Sequence, residues 1–169
     1  MKKYYFKEKF FKITDHYPIL DENGKKAFYV DQKLKFIGYK VRVSDENRKE
    51  ILSIDREFKP FLPTYKVDFT DKNKASMKIK ANLSIFRKSI DVIMDNDRIN
   101  LSGNFFDYEF KIRYKGETIG EVTKKILSIT DQYELTVYDE NYTLELIILC
   151  LCLNNIKDME LESSRNNNN

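Results

Sequence analysis

Tryptophan is absent from this chain of 169 residues; histidine occurs once, cysteine twice, proline three times and glycine five times. A single histidine, His16, means that any His-based metal centre or Ser-His-Asp relay would have to rest on that residue alone. Two cysteines, Cys150 and Cys152, cannot build a disulfide framework, which points to a reducing compartment. With so little Gly and Pro there is no low-complexity linker before the polar end SSRNNNN, and no GxSxG, HExxH or Gly-rich phosphate loop is present. Neither sign of charge dominates: 30 basic against 27 acidic residues leave a net +3, too balanced for a nucleic-acid partner to be inferred. Apolar runs are short, and mean hydropathy is -0.58. The opening MKKYYFKEKFFK lacks the apolar core of a secretion signal. The greasiest stretch, Leu144 to Leu153 (LELIILCLCL), contains Glu145 and falls short of the about 20 apolar residues that span a bilayer. These features predict one soluble, cytoplasmic domain with no metal, no cofactor and no transmembrane segment.

What is present is a recurring turn. Asp21-Glu22-Asn23-Gly24, Asp45-Glu46-Asn47-Arg48, Asp71-Lys72-Asn73-Lys74 and Asp95-Asn96-Asp97 begin 24, 26 and 24 residues apart, and Lys115-Gly116 and Asp139-Glu140-Asn141 continue the series. Such residues favour turns because short polar side chains bond the local backbone or tolerate positive φ. Between the turns apolar and polar residues alternate: Tyr39, Val41, Val43; Tyr65, Val67, Phe69; Met77, Ile79, Ala81, Leu83; Tyr108, Phe110, Ile112, Tyr114; Tyr133, Leu135, Val137. Period two means half-buried strands. Twelve are predicted, over 3–11, 16–21, 26–34, 39–45, 50–58, 64–70, 75–84, 89–94, 98–105, 108–114, 118–126 and 132–138.

A sheet that long should close on itself, since an open one leaves edges unpaired. About eight strands make a barrel that its own side chains fill, so twelve leave a lumen. The LELIILCLCL run explains itself there. As a helix over 142–156 it is about 22 Å long, apolar on every face, and of a width that fits the lumen. Asn141 is read as its N-cap. The fold predicted is a closed antiparallel barrel over 1–157 with a central hydrophobic helix, followed by a disordered polar tail, 158–169.

The DENG-type turns, the segment Phe58-Lys59-Pro60-Phe61-Leu62-Pro63-Thr64-Tyr65-Lys66-Val67 and the all-apolar last helix together resemble the LURP-one-related family. The resemblance covers residues 1 to about 157. It implies the tubby C-terminal-like fold, a twelve-stranded barrel threaded by its last helix. Relatives with that fold include tubby proteins, whose domain binds phosphoinositides, and phospholipid scramblases, which associate with membranes. The tubby lipid site includes a Lys and an Arg two positions apart on one strand. Lys40-Val41-Arg42 and Lys111-Ile112-Arg113 have that form, which makes Lys40, Arg42, Lys111 and Arg113 candidate ligands for a phosphorylated head group.

Other candidates are weighed on the residues themselves. His16 reads as a solvated side chain at a strand start, and the two cysteines, two positions apart on a helix, point away from each other. The carboxylates gather in turns, where turn chemistry alone would put them. The alternate connections are different. They carry Phe10-Phe11, Phe36-Ile37, Phe58, Phe61-Leu62, Ile85-Phe86, Phe105-Phe106, Leu127 and Ile129, interleaved with Lys35, Lys59, Arg87 and Lys88, and they are net positive where the Asp turns are net negative. A basic, aromatic rim suits an anionic membrane surface or an acidic protein. The plainer reading is that these apolar side chains fold inward and seal the barrel. The function expected is a non-enzymatic module binding anionic lipid or an acidic partner through this rim (Lys35, Lys59, Phe61, Arg87, Lys88), at the membrane periphery. The alternative is a structural or stress-associated scaffold with no lipid affinity.

Overall fold

The structure, a computed structural model, describes residues 1–7, 16–34, 38–59, 63–82, 89–94, 97–105, 107–125 and 132–166. These form β1 (Lys2–Lys7), β2 (His16–Asp21), β3 (Lys26–Leu34), β4 (Tyr39–Ser44), β5 (Glu50–Glu57), β6 (Thr64–Phe69), β7 (Met77–Asn82), β8 (Ser89–Met94), β9 (Asp97–Asn104), β10 (Glu109–Tyr114), β11 (Glu117–Lys125) and β12 (Gln132–Val137). A 3-10 turn, Glu140–Tyr142, leads into the helix α1 (Thr143–Asn166). Each strand pairs antiparallel with its neighbour in sequence, and β12 returns to β1 from Lys2↔Val137 to Lys7↔Gln132, so the ring closes. The closed antiparallel barrel expected from the alternation is the fold.

The Asp turns form for the reason their composition gives. The Oδ1 atoms of Asp21, Asp45, Asp71 and Asp139 each accept the backbone N–H two residues on, at 2.9 to 3.0 Å. In the first two turns the same oxygen also accepts the N–H four residues on, from Lys25 and Lys49. These turns lie at one end of the barrel; the strand ends Lys7 and His16, Leu34 and Tyr39, Glu57 and Thr64, and Lys125 and Gln132 mark the other, the loop end.

α1 runs through the barrel. Leu146, Ile147, Ile148 and Leu149 are all fully buried, and four consecutive helical positions at about 100° apiece leave no face free. Around them stand inward residues such as Val41, Ile54, Val67, Ile79, Leu101 and Leu135, in one continuous core. Gly120 on β11 marks how closely wall and helix approach: a Cβ there would lie 2.9 Å from Leu146 Cδ1. A cavity of about 20 Å³ beside Cys150 and Leu153 remains, room for about one water.

Two expectations are corrected at the ends of the helix. Asp139, not Asn141, caps the leading turn; Asn141 donates its N–H to that carboxylate, and Thr143 Oγ1 donates to the Glu140 carbonyl at 2.8 Å. Asp begins the turn and caps it at once, so the cap lies two residues earlier than an apolar run suggests. α1 also continues to Asn166, so residues 158–166, expected as a disordered tail, are helical. Once a helix is nucleated inside the barrel, each added turn of Met, Glu and Leu is inexpensive.

The closing seam has its own clamp. Glu134 on β12 has a side chain only 8% exposed and accepts from Lys3 Nζ on β1 at 3.0 Å, with Lys125 Nζ of β11 at 3.9 Å. Burial alone would raise its carboxyl, but hydrogen bonds from Lys3 and Tyr5 and the nearby lysine charges outweigh it, and the pKa lies below the ordinary value. A lowered carboxyl contributes stability above the unfolded pKa that is lost as pH falls through the folded one. Glu134→Gln is therefore expected to cost about 1–2 kcal/mol at pH 7. Urea unfolding should show that difference shrinking at pH values below the ordinary Glu range of about 4.

Candidate functional site

The two ends of the barrel differ in what their polar groups are free to do. At the turn end the aspartates are committed to backbone N–H groups, as above. His16, at the loop end, pairs across its register with Asp31 and is exposed. The cysteines are not a reactive pair either. Burial pushes the Cys150 thiol up to about 12 and that of Cys152 higher, so both stay protonated.

The two Lys-x-Arg pairs are placed as the alternation requires, with Val41 and Ile112 buried between outward cations. The structure does not bring the pairs together: β4 and β10 lie six strands apart in either direction around the ring. Their surroundings differ. Lys40 Nζ sits 3.2 Å from Asp55 and Arg42 Nε 3.7 Å from Glu50, both on β5. Lys111 and Arg113 are exposed and have no carboxylate partner among the described residues.

At the loop end Lys35, Phe61, Arg87 and Lys88 lie outside the described residues, as do Phe10, Phe11, Phe36, Ile37, Leu62, Ile85, Phe86, Phe106, Leu127 and Ile129. The two aromatic residues that are described behave oppositely. Phe105 packs on the core, its ring 5.2 Å from that of Phe110. Phe58 is 85% exposed, and Lys59 beside it reaches Glu57 at 3.1 Å. Lys78 reaches the same carboxylate at 3.0 Å, and the hydrogen bonds from Lys78 and Lys59 lower the Glu57 pKa.

Inside this mouth lies a feature that sequence reasoning missed. Tyr17, Tyr39, Tyr65 and Tyr133, near the starts of β2, β4, β6 and β12, point inward together with Tyr108 just before β10. Three of them meet the middle of α1. Tyr39 donates to the Leu151 carbonyl at 3.2 Å, Tyr65 to Asn155 Oδ1 at 2.9 Å, and Tyr108 to Asn154 Oδ1. Tyr108 and Tyr133 stack at 3.7 Å, and the Lys157 ammonium lies 3.9 Å from the Tyr108 ring. Burial raises the pKa of Tyr17, Tyr39 and Tyr65, which keeps these hydroxyls protonated and able to donate. Arg56 completes the mouth, inward on β5 and opposite Tyr65. The signals were present: Leu52, Ile54 and Arg56 alternate, and Asn154-Asn155 interrupts an otherwise apolar run.

A ring of twelve antiparallel strands that encloses its own C-terminal helix defines a self-plugged barrel. The chain belongs to the LURP-one-related family, whose model matches residues 2–154. It is 24% identical over 163 residues to the uncharacterised protein YxjI of Bacillus subtilis (strain 168), covering 95% of this chain and 94% of that one. Its fold is similar to the X-ray structure of an Arabidopsis thaliana protein, with a TM-score of 0.61 and 16% identity over 90% of this chain and 91% of the other. Among the described residues no helix is long and apolar enough to cross a membrane.

Proposed function

We propose that this barrel is a non-enzymatic binding module that docks on an anionic membrane surface through its loop end. The observation that carries the reading is Phe58, 85% exposed on that end next to Lys59. An exposed aromatic ring beside a cation at the end of a barrel suits insertion into the interface of an anionic bilayer. The lumen supports the same reading indirectly. With α1 filling it, a ligand has the mouth or the outer wall to bind.

Co-sedimentation with vesicles of phosphatidylcholine, with and without phosphatidylserine, tests the proposal at low salt, where charge attraction is strongest. The protein is expected to pellet with the anionic vesicles alone, and Phe58→Ala with Lys59→Glu should weaken binding about tenfold or more. Reversing Lys111 and Arg113 to Glu should weaken it further. Reversing Lys40 and Arg42 should do less than the Phe58 and Lys59 change, because they are outward residues of β4 with no exposed aromatic ring beside them among the described residues. No binding at low salt would sink the lipid reading and leave the scaffold reading, which the inward packing of Phe105 and the paired Lys40 and Arg42 favour.

A further inference from the structure

On the outer wall Lys40, Lys66 and Lys78 each hold a carboxylate at 2.9 to 3.2 Å. Arg56 does not. It follows Leu52 and Ile54 on the inner face of β5 and is the last inward residue before the chain leaves the sheet at Phe58. Tyr65 is its register partner on β6. Tyr39 flanks it on the other side, one step beyond the Lys40↔Asp55 pair, and the two rings meet edge to face at 6.0 Å. The residue is half-buried, with its Nε fully covered, and among the described residues that Nε donates to nothing and no carboxylate pairs with the guanidinium. On β3, two strands away, Gln32 is 3% exposed, and its side-chain oxygen likewise has no partner.

A guanidinium with its Nε covered and no counter-charge is destabilising, and among the described residues none supplies that partner. Its planar fork is built to grip an oxyanion. We infer that the loop-end mouth contains an anion seat centred on Arg56, walled by Tyr39 and Tyr65, that takes a phosphate group, either a lipid head group or free phosphate. The seat deepens the membrane-docking reading by naming the group recognised; it rests on that reading only for where the phosphate comes from.

Two variants and two probes test it. Arg56→Met keeps length and removes charge; Arg56→Lys keeps charge and removes the fork. Thermal unfolding is followed in potassium phosphate and in potassium chloride of equal ionic strength, beside sedimentation with vesicles with and without phosphatidylserine. Phosphate should raise the wild-type midpoint relative to chloride by a few degrees, as a ligand of the native state does. Arg56→Met should melt at or above the wild type in chloride and lose the phosphate increment, whereas a purely structural arginine would lower the midpoint. Arg56→Lys should need about tenfold more phosphate for the same increment. If Arg56→Met does not fold, Arg56→Lys decides: a response equal to wild type overturns the seat.

The vesicle arm separates the two proposals. Arg56-dependent phosphate stabilisation without vesicle binding keeps the seat, with free phosphate as its source, and overturns membrane docking. Vesicle binding equal in wild type and Arg56→Met, with no Arg56-dependent phosphate effect, keeps docking and overturns the seat. Loss of both responses on substitution supports both, with the lipid head group as the source. Neither response in the wild type overturns both.

Discussion

Ile148→Asp is expected to abolish the cooperative thermal transition at neutral pH. Ile148 is fully buried in the second turn of α1, with Ile147 and Leu149 equally buried on either side. The substitution loses the burial of a large aliphatic side chain, about 2–3 kcal/mol, and adds a carboxylate inside the apolar core. The desolvation penalty for such a charge is several kcal/mol, and the two losses together rival the roughly 5–15 kcal/mol by which a domain of this kind is stable. A circular-dichroism melt without a sigmoidal transition is the expected readout. A variant melting within a few degrees of the wild type would mean that position 148 is not enclosed.

The second large effect belongs to the wall. Gly103 on β9 adopts φ of +139, which L side chains rarely occupy, and a Cβ there would stand 2.3 Å from the Glu109 carbonyl oxygen and 2.7 Å from Phe110 Cα. Both obstacles are backbone of the paired strand, since Gly103 faces Phe110 in the register. Gly103→Ala must therefore part β9 from β10, at a cost of about 3 kcal/mol or more in urea unfolding. Gly24 is the control. Its φ is +75, but nothing lies within 4 Å of its missing Cβ. Gly24→Ala should cost only about 1 kcal/mol. Equal costs at the two positions would show that the close approach of β9 and β10 does not matter.

These contrasts show where the sequence is legible and where it is not. Period-two alternation places Val41, Ile54, Val67 and Leu135 inward because a side chain's face depends only on its parity along the strand. The same parity, followed one step further along β5, places Arg56 inside. The Asp turns are equally local, since each carboxylate bonds a backbone N–H two residues away. Cross-strand partnership is not local. Arg42 lies directly opposite Ser53, and it reaches Glu50 where the register shifts between Val43 and Ser44. A bulge of that kind leaves little trace in composition. The tyrosine collar was hidden differently: Tyr39, Tyr65 and Tyr133 count as apolar in a hydropathy pattern, while their hydroxyls meet the helix only in three dimensions. The helix boundary at Asn166 escaped because a polar segment reads as tail unless an ordered helix already leads into it.

The location of α1 governs where any ligand can sit, so its enclosure merits direct measurement. Amide hydrogen exchange compares α1 with the wall around it. The N–H groups of Leu146 to Cys152 are expected to exchange only through global unfolding, with the same opening free energy as Tyr133 to Val137 of β12, while Ser163 to Arg165, exposed at the far end of the helix, exchange much faster. Exchange of Leu146 to Cys152 orders of magnitude faster than β12 would contradict the account, because a helix that opens while the barrel stays closed is not held inside it.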